Sequence, residues 1–434
     1  MVANASLQID AERSLLSTLA TDVVAVLGTR AAVAPHGKIA QILIAHYALR
    51  AAFVEHAPYD EEDEEGAPPL PAAWRPVRKS FMAAPIITRP ALWPIPSYNL
   101  PTIDSIPALC ELLEMHPQRL EAWSRRWRQR PGATDAQRHS AYFAYWQAKK
   151  RGGARLIEIP KPDLKQVQRR LLERVIARID PHECATGFRR GYSLLHHAER
   201  HVGQPLVLKC DLRDFFVSVR ASRIHAIFRH MGYDETIARS LTAIVTSRVS
   251  RQRANEGMQY GVDRNTAGRY QCDHLPQGAP TSPALANLAA FGLDLRLESL
   301  AASAGAKYSR YADDLTFSGA RSSGLSNERF YLRVCAIALE EGFAVNVRKT
   351  RLMPASQRQH ITGLVVNERA NCSREEFDQL KAILTNAART GLDAQNRARH
   401  RDFRSHLLGR TAFMEQINPA RGAKLREIWK RIES

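Results

Sequence analysis

Arg310-Tyr311-Ala312-Asp313-Asp314-Leu315-Thr316-Phe317-Ser318 is the stretch on which the reading of this chain turns. Tyr308–Tyr311 and Leu315–Ser318 have strand character, and the turn between them holds two adjacent carboxylates. A lone Asp-Asp pair is equally a solvated turn. Upstream, however, the apolar run Leu206–Cys210 leads directly into Asp211, the start of Asp211-Leu212-Arg213-Asp214-Phe215-Phe216. By itself Asp211 would pass for a helix cap or turn former. A strand-end aspartate and a hairpin-tip pair together supply a carboxylate cluster. Magnesium takes oxygen ligands and favours a few carboxylates plus substrate phosphates. Phosphoryl transfer leaves little covalent work for a protein and needs cations that bridge the attacking and leaving oxygens. Asp211, Asp313 and Asp314 are therefore the candidate ligands of two Mg2+ ions.

The charge balance fits a phosphate-rich partner. The 434 residues include 62 Lys+Arg against 44 Asp+Glu, a net +18. Residues 1–100 carry only 8 basic and 10 acidic side chains, which leaves 54 and 34 for the rest. A basic body behind a near-neutral leader points to a polyanion, although a membrane surface or a ribosome would also suit it. The six cysteines are scattered with no Cys-x-x-Cys pair, which argues against structural zinc and disulfides and for reduced thiols in a cytoplasmic protein. Ile39–Phe53 is the nearest approach to a membrane span, and His46 and Arg50 interrupt it, so no membrane is expected.

Leu15, Leu16, Leu19 and Val23, then Ile39, Ile42, Leu43 and Tyr47, recur at helical spacing around a break at Pro35-His36-Gly37. They predict an N-terminal helical module over 1–56. The acidic run Asp60–Glu65 and eight prolines from Pro68 to Pro96 predict a linker or draped arm over 57–99. Beyond Leu100, helices are expected over Ser105–Trp127 and Asp135–Lys150, and a short strand over Arg155–Ile159. A further helix is expected over Gln166–Ile179, with Val167, Leu171, Leu172 and Ile176 on one face. After Asn367 the chain reads as helical and basic, with 14 basic and 9 acidic residues.

These motifs resemble the reverse transcriptases of bacterial retrons. Tyr311-Ala-Asp-Asp314 looks like the family's palm signature, and the other blocks follow in the family's order. They are Arg155–Pro160 with Leu164–Gln168, Gly187–Ser193, Leu275–Pro283 with Ala286-Asn287, Gly342–Asn346 with Lys349-Thr350, and Ile361–Asn367. The resemblance runs from about Leu100 onward and implies an α+β, right-hand polymerase. Its parts would be N-terminal helices and fingers over 100–205, a palm with an antiparallel sheet over 206–367, and a helical thumb over 368–434. The extra N-terminal module precedes them.

Roles follow residue by residue from the resemblance. Asp211, Asp313 and Asp314 match the metal-binding triad. Phe216 matches an aromatic gate that collides with a ribose 2′-OH; alternatively it is a core phenylalanine beside Phe215. Arg155 matches a residue that contacts the triphosphate, for which a planar guanidinium is suited. Leu212, Gln277 and Gly278 match nucleotide-side positions, where glycine permits close approach of the backbone. Lys349 matches a lysine that assists pyrophosphate departure, with a plain surface charge as the alternative. Thr362, Gly363 and Leu364 match the primer grip. Retron enzymes carry an Asn-Ala-x-x-His block, represented here by His197-Ala-Glu-Arg-His201, and a Val-Thr-Gly block, here Ile361-Thr-Gly363. His197 and His201 are expected to contact structured RNA; a zinc site is disfavoured for want of a third ligand.

The implied substrates are deoxynucleoside triphosphates and a cognate structured noncoding RNA, template and primer at once. The implied product is RNA–DNA branched at a 2′-OH, made in anti-phage defence with a possible effector protein. Arg397, Arg399, Arg401 and Arg404 are expected to grip an RNA stem through shape and phosphates. No ribonuclease H or endonuclease pattern follows Asn367, so RNA removal is expected to need another enzyme. The rival readings are another bacterial defence or group II intron-like reverse transcriptase, and a catalytically inactive RNA-binding scaffold. Clustered like charges are costly without a catalytic purpose, which counts against the scaffold. Phe216 counts against an RNA-dependent RNA polymerase.

Overall fold

A computed structural model describes residues 98–128, 141–149 and 152–433. The helical module expected over 1–56 lies outside the described residues, as does the arm expected over 57–99 except for its last two positions. The expected helix Asp135–Lys150 is corrected where the chain is described. Its second half is a strand, β1 (Tyr142–Ala148), paired antiparallel with β2 (Ala154–Pro160) from Tyr142↔Pro160 to Ala148↔Ala154. Aromatic side chains favour a pleated surface. Tyr142 and Trp146 take the inner face, where the Trp146 indole N–H donates to the Arg253 carbonyl at 2.9 Å, while Phe143 and Tyr145 face water. After β2 comes α1 (Pro162–Arg174), which buries Leu164, Val167 and Leu171 and starts with a proline in its first turn, where no amide is missed.

The centre of the protein is a four-stranded antiparallel sheet. Before it lies a short helix, α2 (Leu194–Glu199). The strands are β3 (Leu206–Leu212), β4 (Ala306–Tyr311), β5 (Asp314–Gly319) and β6 (Val345–Pro354), in the spatial order β4-β5-β3-β6. Between β3 and β4 the chain forms α3 (Ser282–Ala289) and α4 (Phe291–Ser303), and between β5 and β6 it forms α5 (Glu328–Glu340).

Because paired residues share a side, the sheet has two distinct faces. Leu206, Leu208 and Cys210 with Leu315 and Phe317 make an apolar face, packed with residues of α4 and α5 in the main core. The opposite face carries Lys209, Asp211, Asp314, Thr316 and Ser318.

Beyond the sheet, β7 (His360–Ile361) and β8 (Leu364–Val365) form a hairpin. Its two turn residues, Thr362 and Gly363, both have positive φ, as a tight primed turn requires. Three long helices follow, α6 (Arg374–Thr390), α7 (Phe403–Ile417) and α8 (Pro419–Glu433), with a single helical turn, Leu392–Gln395, between the first two. They share a second core of Leu380, Leu384, Leu407, Met414, Leu425 and Trp429, into which β8 sends Leu364. Inside it the Trp429 indole donates to the Thr411 hydroxyl at 3.0 Å. Among the described residues no helix is long and apolar enough to cross a membrane.

The α7–α8 turn depends on close backbone approach. A Cβ on Gly422 would stand 2.5 Å from the Glu415 Cα and 2.4 Å from its Cβ. Gly422→Ala therefore forces the two helices apart. It is expected to destabilise the protein by about 1–3 kcal/mol, read as a lower midpoint in urea or thermal unfolding.

Candidate active site

The pairing of β3 with β5 sets Asp211 directly opposite Asp314, and Asp313 occupies the two-residue turn before it. That turn needs a left-handed residue, and Ala312 supplies it at φ +57. The Leu212 N–H donates to the Asp313 carbonyl at 2.8 Å, which ties the turn to the end of β3. A register shift between Lys209 and Asp211 in the β3–β6 pairing lies at the same place. Such bulges re-aim side chains at functional edges.

Two ammonium groups attend three carboxylates. Lys349 Nζ lies 3.0 Å from Asp211 Oδ1, and Asn346 Nδ2 donates to Asp211 Oδ2 at 3.3 Å. Lys209 Nζ lies 3.0 Å from Asp314 Oδ2. Among the described residues no cation pairs with Asp313. Burial, with repulsion from Asp211 and Asp314, pushes its carboxyl up to about 6. Three oxygen-donor side chains with one negative charge unmatched suit a divalent cation, so the donor set fits magnesium. Lys209 had gone unremarked in the sequence; its position two residues before Asp211 on a strand places both on one face.

The support behind the turn is a buried ion pair. Arg310 is wholly buried and binds Asp294 on α4 through two bonds, Nε to Oδ1 at 2.8 Å and Nη2 to Oδ2 at 2.6 Å. Its Nη1 donates to the Ala312 carbonyl at 2.9 Å and to Asn287 Oδ1 on α3 at 3.0 Å. Asn287 in turn donates to the Gly187 carbonyl at 2.8 Å. Gly187 sits so close that a Cβ there would lie 2.5 Å from the Ala312 amide nitrogen. Asp294 carried no signal in the sequence beyond a charge on an apolar helix.

On the rim, Arg155 is exposed on β2. The Glu158 N–H donates to the Gln277 carbonyl at 2.9 Å, and Gly278, at φ +130, leaves no room for a Cβ beside the Glu158 carbonyl. The β1–β2 hairpin thus docks onto the Gln277-Gly278 loop. Phe216 is half-buried, its ring centroid 5.6 Å from that of Phe215 and 5.9 Å from that of Phe188.

Several expected contacts are corrected. The Leu212 and Leu364 side chains are 1% exposed and belong to the two cores, so neither can meet nucleotide or primer except through the main chain. His197 and His201 are fully buried rather than RNA-facing. His201 bonds the hydroxyls of Ser318 and Ser309, each at 2.7 Å. His197 bonds Thr186 and Ser309 at 3.0 Å and Thr316 at 3.3 Å. Arg397, Arg399 and Arg401 are exposed, but on the loop before α7 rather than on a helix; Arg404 is exposed in the first turn of α7. Thr362 and Gly363 form the β7–β8 turn.

Among the described residues, one group of three ligand types has all its donor atoms within 4.8 Å, and it is His182, Cys184 and Glu298 rather than the aspartates. It is satisfied internally. The Cys184 N–H donates to His182 Nδ1 at 3.3 Å, His182 Nε2 faces Glu298 at 3.6 Å, and the Cys184 thiol donates to Glu298 at 3.0 Å. The group is a strut between the 180–184 segment and α4.

With this geometry in place, the comparisons are specific. The family model described as "Reverse transcriptase (RNA-dependent DNA polymerase)" matches residues 147–366, just over half of the chain. The chain belongs to the reverse transcriptase family. Its curated relatives include retron enzymes. The retron Mx65 reverse transcriptase of Myxococcus xanthus is 38% identical over 288 residues, which span 66% of this chain and 64% of that one. The retron Mx162 reverse transcriptase of the same organism is 34% identical over 339 residues, 75% of this chain and 66% of that one. The retron Ec86 reverse transcriptase of Escherichia coli is 33% identical over 230 residues, 52% of this chain and 63% of that one. The chain thus spans a little under two thirds of the length of these relatives.

The Arg310–Asp294 pair gives a direct test of the support. Asp294→Ala leaves a guanidinium buried without its counter-ion, a change that costs about 3–5 kcal/mol where such pairs have been broken. Urea unfolding of the variant is expected to show a loss of that size.

Proposed function

We propose that this chain is a retron-type RNA-directed DNA polymerase, which copies a cognate structured RNA into single-stranded DNA primed from an RNA 2′-OH. The observation that carries the reading is Asp211 facing Asp314 across two strands, with Asp313 at the adjoining turn, in a chain whose relatives are retron reverse transcriptases. Family membership implies a divalent metal. Asp211, Asp313 and Asp314 would hold two Mg2+ ions, which when bound polarise the attacking hydroxyl and neutralise charge on the triphosphate.

The chain's own groups do the rest. Lys349, beside Asp211, offers a cation for the departing pyrophosphate. Arg155 faces solvent on the β1–β2 hairpin, where a guanidinium can meet the γ-phosphate, and the docking of that hairpin on Gln277-Gly278 fixes the nucleotide's opposite side. Phe216 occupies the place of a gate against a ribose 2′-OH. In this reading residues 100–205 are the fingers, the four-stranded sheet is the palm, and α6–α8 are the thumb. The arginines 397, 399, 401 and 404 give it an exposed basic edge for RNA phosphates.

The test is expression with flanking genomic DNA, purification, and analysis of bound nucleic acid with and without ribonuclease, beside an Asp313→Asn control. A discrete DNA joined to RNA is expected with the wild type, and only RNA with the variant. RNA without DNA in both samples would mean a scaffold, and heterogeneous DNA would mean a polymerase of another kind.

A further inference from the structure

Phe188 is held in a way that neither burial nor backbone preference explains. Its side chain is 45% exposed, and its φ is +60, a conformation that bulky L-residues avoid. Unfavourable backbone of this kind persists where the surroundings over-determine it, and it clusters at functional sites. Here the surroundings are the catalytic hairpin itself. The Thr186 N–H and hydroxyl both donate to the Arg310 carbonyl, at 2.8 and 3.0 Å. The Gly187 carbonyl is held by Asn287, and a Cβ on Gly187 would lie 2.5 Å from the Ala312 amide nitrogen. The backbone that carries Phe188 is therefore fixed against the aspartate turn.

The Phe188 ring is delivered beside Phe216. Its centroid lies 5.9 Å from that of Phe216 and 6.5 Å from that of Tyr311, the residue that opens the aspartate turn. Phe216 also meets Phe215, whose ring centroid lies 5.6 Å away. Phe215 is 4% exposed, stacks on Phe343 at 5.4 Å, and lies under the Arg310 guanidinium at 5.6 Å. Phe216 thus has two ring neighbours, one buried in the core and one carried on strained backbone. Without the second, Phe216 gains room to swing away from Phe215.

We propose that Phe188 is a positioning residue for sugar discrimination: it holds the Phe216 ring against the ribose 2′-position, so that selectivity for deoxynucleotides depends on both rings. The proposal rests on the reading of Phe216 as the gate. It concerns a different residue and makes a separate demand, that a side chain outside the gate set the deoxy-to-ribo ratio.

The experiment is single-nucleotide incorporation by the full chain on a primed RNA template, measuring kcat/KM for a deoxynucleoside triphosphate and the matching ribonucleotide. The variants are Phe188→Tyr, Phe188→Gly and Phe216→Ala. Glycine removes the ring while accepting φ +60 without strain, so loss of folding does not obscure the result. Phe188→Gly is expected to lower the deoxy-to-ribo preference roughly tenfold, the scale of a lost apolar contact in a selectivity pocket. Phe188→Tyr should keep the wild-type ratio, and Phe216→Ala should lower it further. If Phe188→Gly slows both substrates equally, or changes neither, while Phe216→Ala lowers the ratio, the proposal is wrong and the gate stands. If Phe216→Ala leaves the ratio unchanged, the gate reading itself fails and takes the proposal with it.

Discussion

The ion pair between Arg310 and Asp294 is the constraint around which the candidate site is built. Taking a guanidinium out of water costs several kcal/mol, and attraction to a carboxylate repays that only when the remaining donors are also satisfied. Arg310 meets the condition, with two bonds to Asp294, one to the Ala312 carbonyl and one to Asn287. The return on this arrangement is placement. One side chain fixes α4, α3 and the aspartate turn against one another, and through Asn287 it fixes Gly187 as well. An apolar residue in its place could fill the volume, but it would have no directional hold on a carbonyl in a turn with positive φ.

The second organising fact is that the sheet separates its two tasks by face. On one side Leu208, Cys210, Leu315 and Phe317 bury themselves in the main core. On the other, the same strands present Lys209, Asp211 and Asp314, and β6 brings Lys349 to Asp211. The ammonium groups offset two of the three negative charges, while burial and repulsion from Asp211 and Asp314 raise the proton affinity of Asp313. That residual charge attracts cations. The lysines beside it favour an anionic substrate entering with them, and both are features a site for metal-bound triphosphates requires.

Much of this was legible because strands write themselves with period two and carboxylates at their ends are conspicuous. Asp211, the Asp313-Asp314 turn and the three strands that carry them could be placed from Leu206–Asp211 and Tyr308–Ser318, whereas the fourth strand, Val345–Pro354, could not. What could not be read depended on partners distant in sequence. Arg310 meets Asn287 and Asp294 across helices, and Phe188 meets Phe216 only after folding. The segment around Tyr142–Ala148 was misread because its aromatic residues alternate between a buried and an exposed face without any change from apolar to polar. Leu212 and Leu364 matched positions associated with substrate, yet a leucine at a strand end has more to gain from a core than from a phosphate.

His197 and His201 show how a polar motif can be structural. The sheet face that carries the aspartates is lined further along by Ser309, Thr316 and Ser318, hydroxyls that α2 buries. A buried hydroxyl needs a partner, and a neutral imidazole offers one donor and one acceptor. Burial lowers both histidines, His197 to about 3 and His201 well below its ordinary value, so both rings are neutral. Two such rings satisfy four hydroxyls and fasten α2 and the turn after it to β4 and β5 by directional bonds, which apolar contacts would not supply. These bonds hold in place the two strands whose turn carries Asp313.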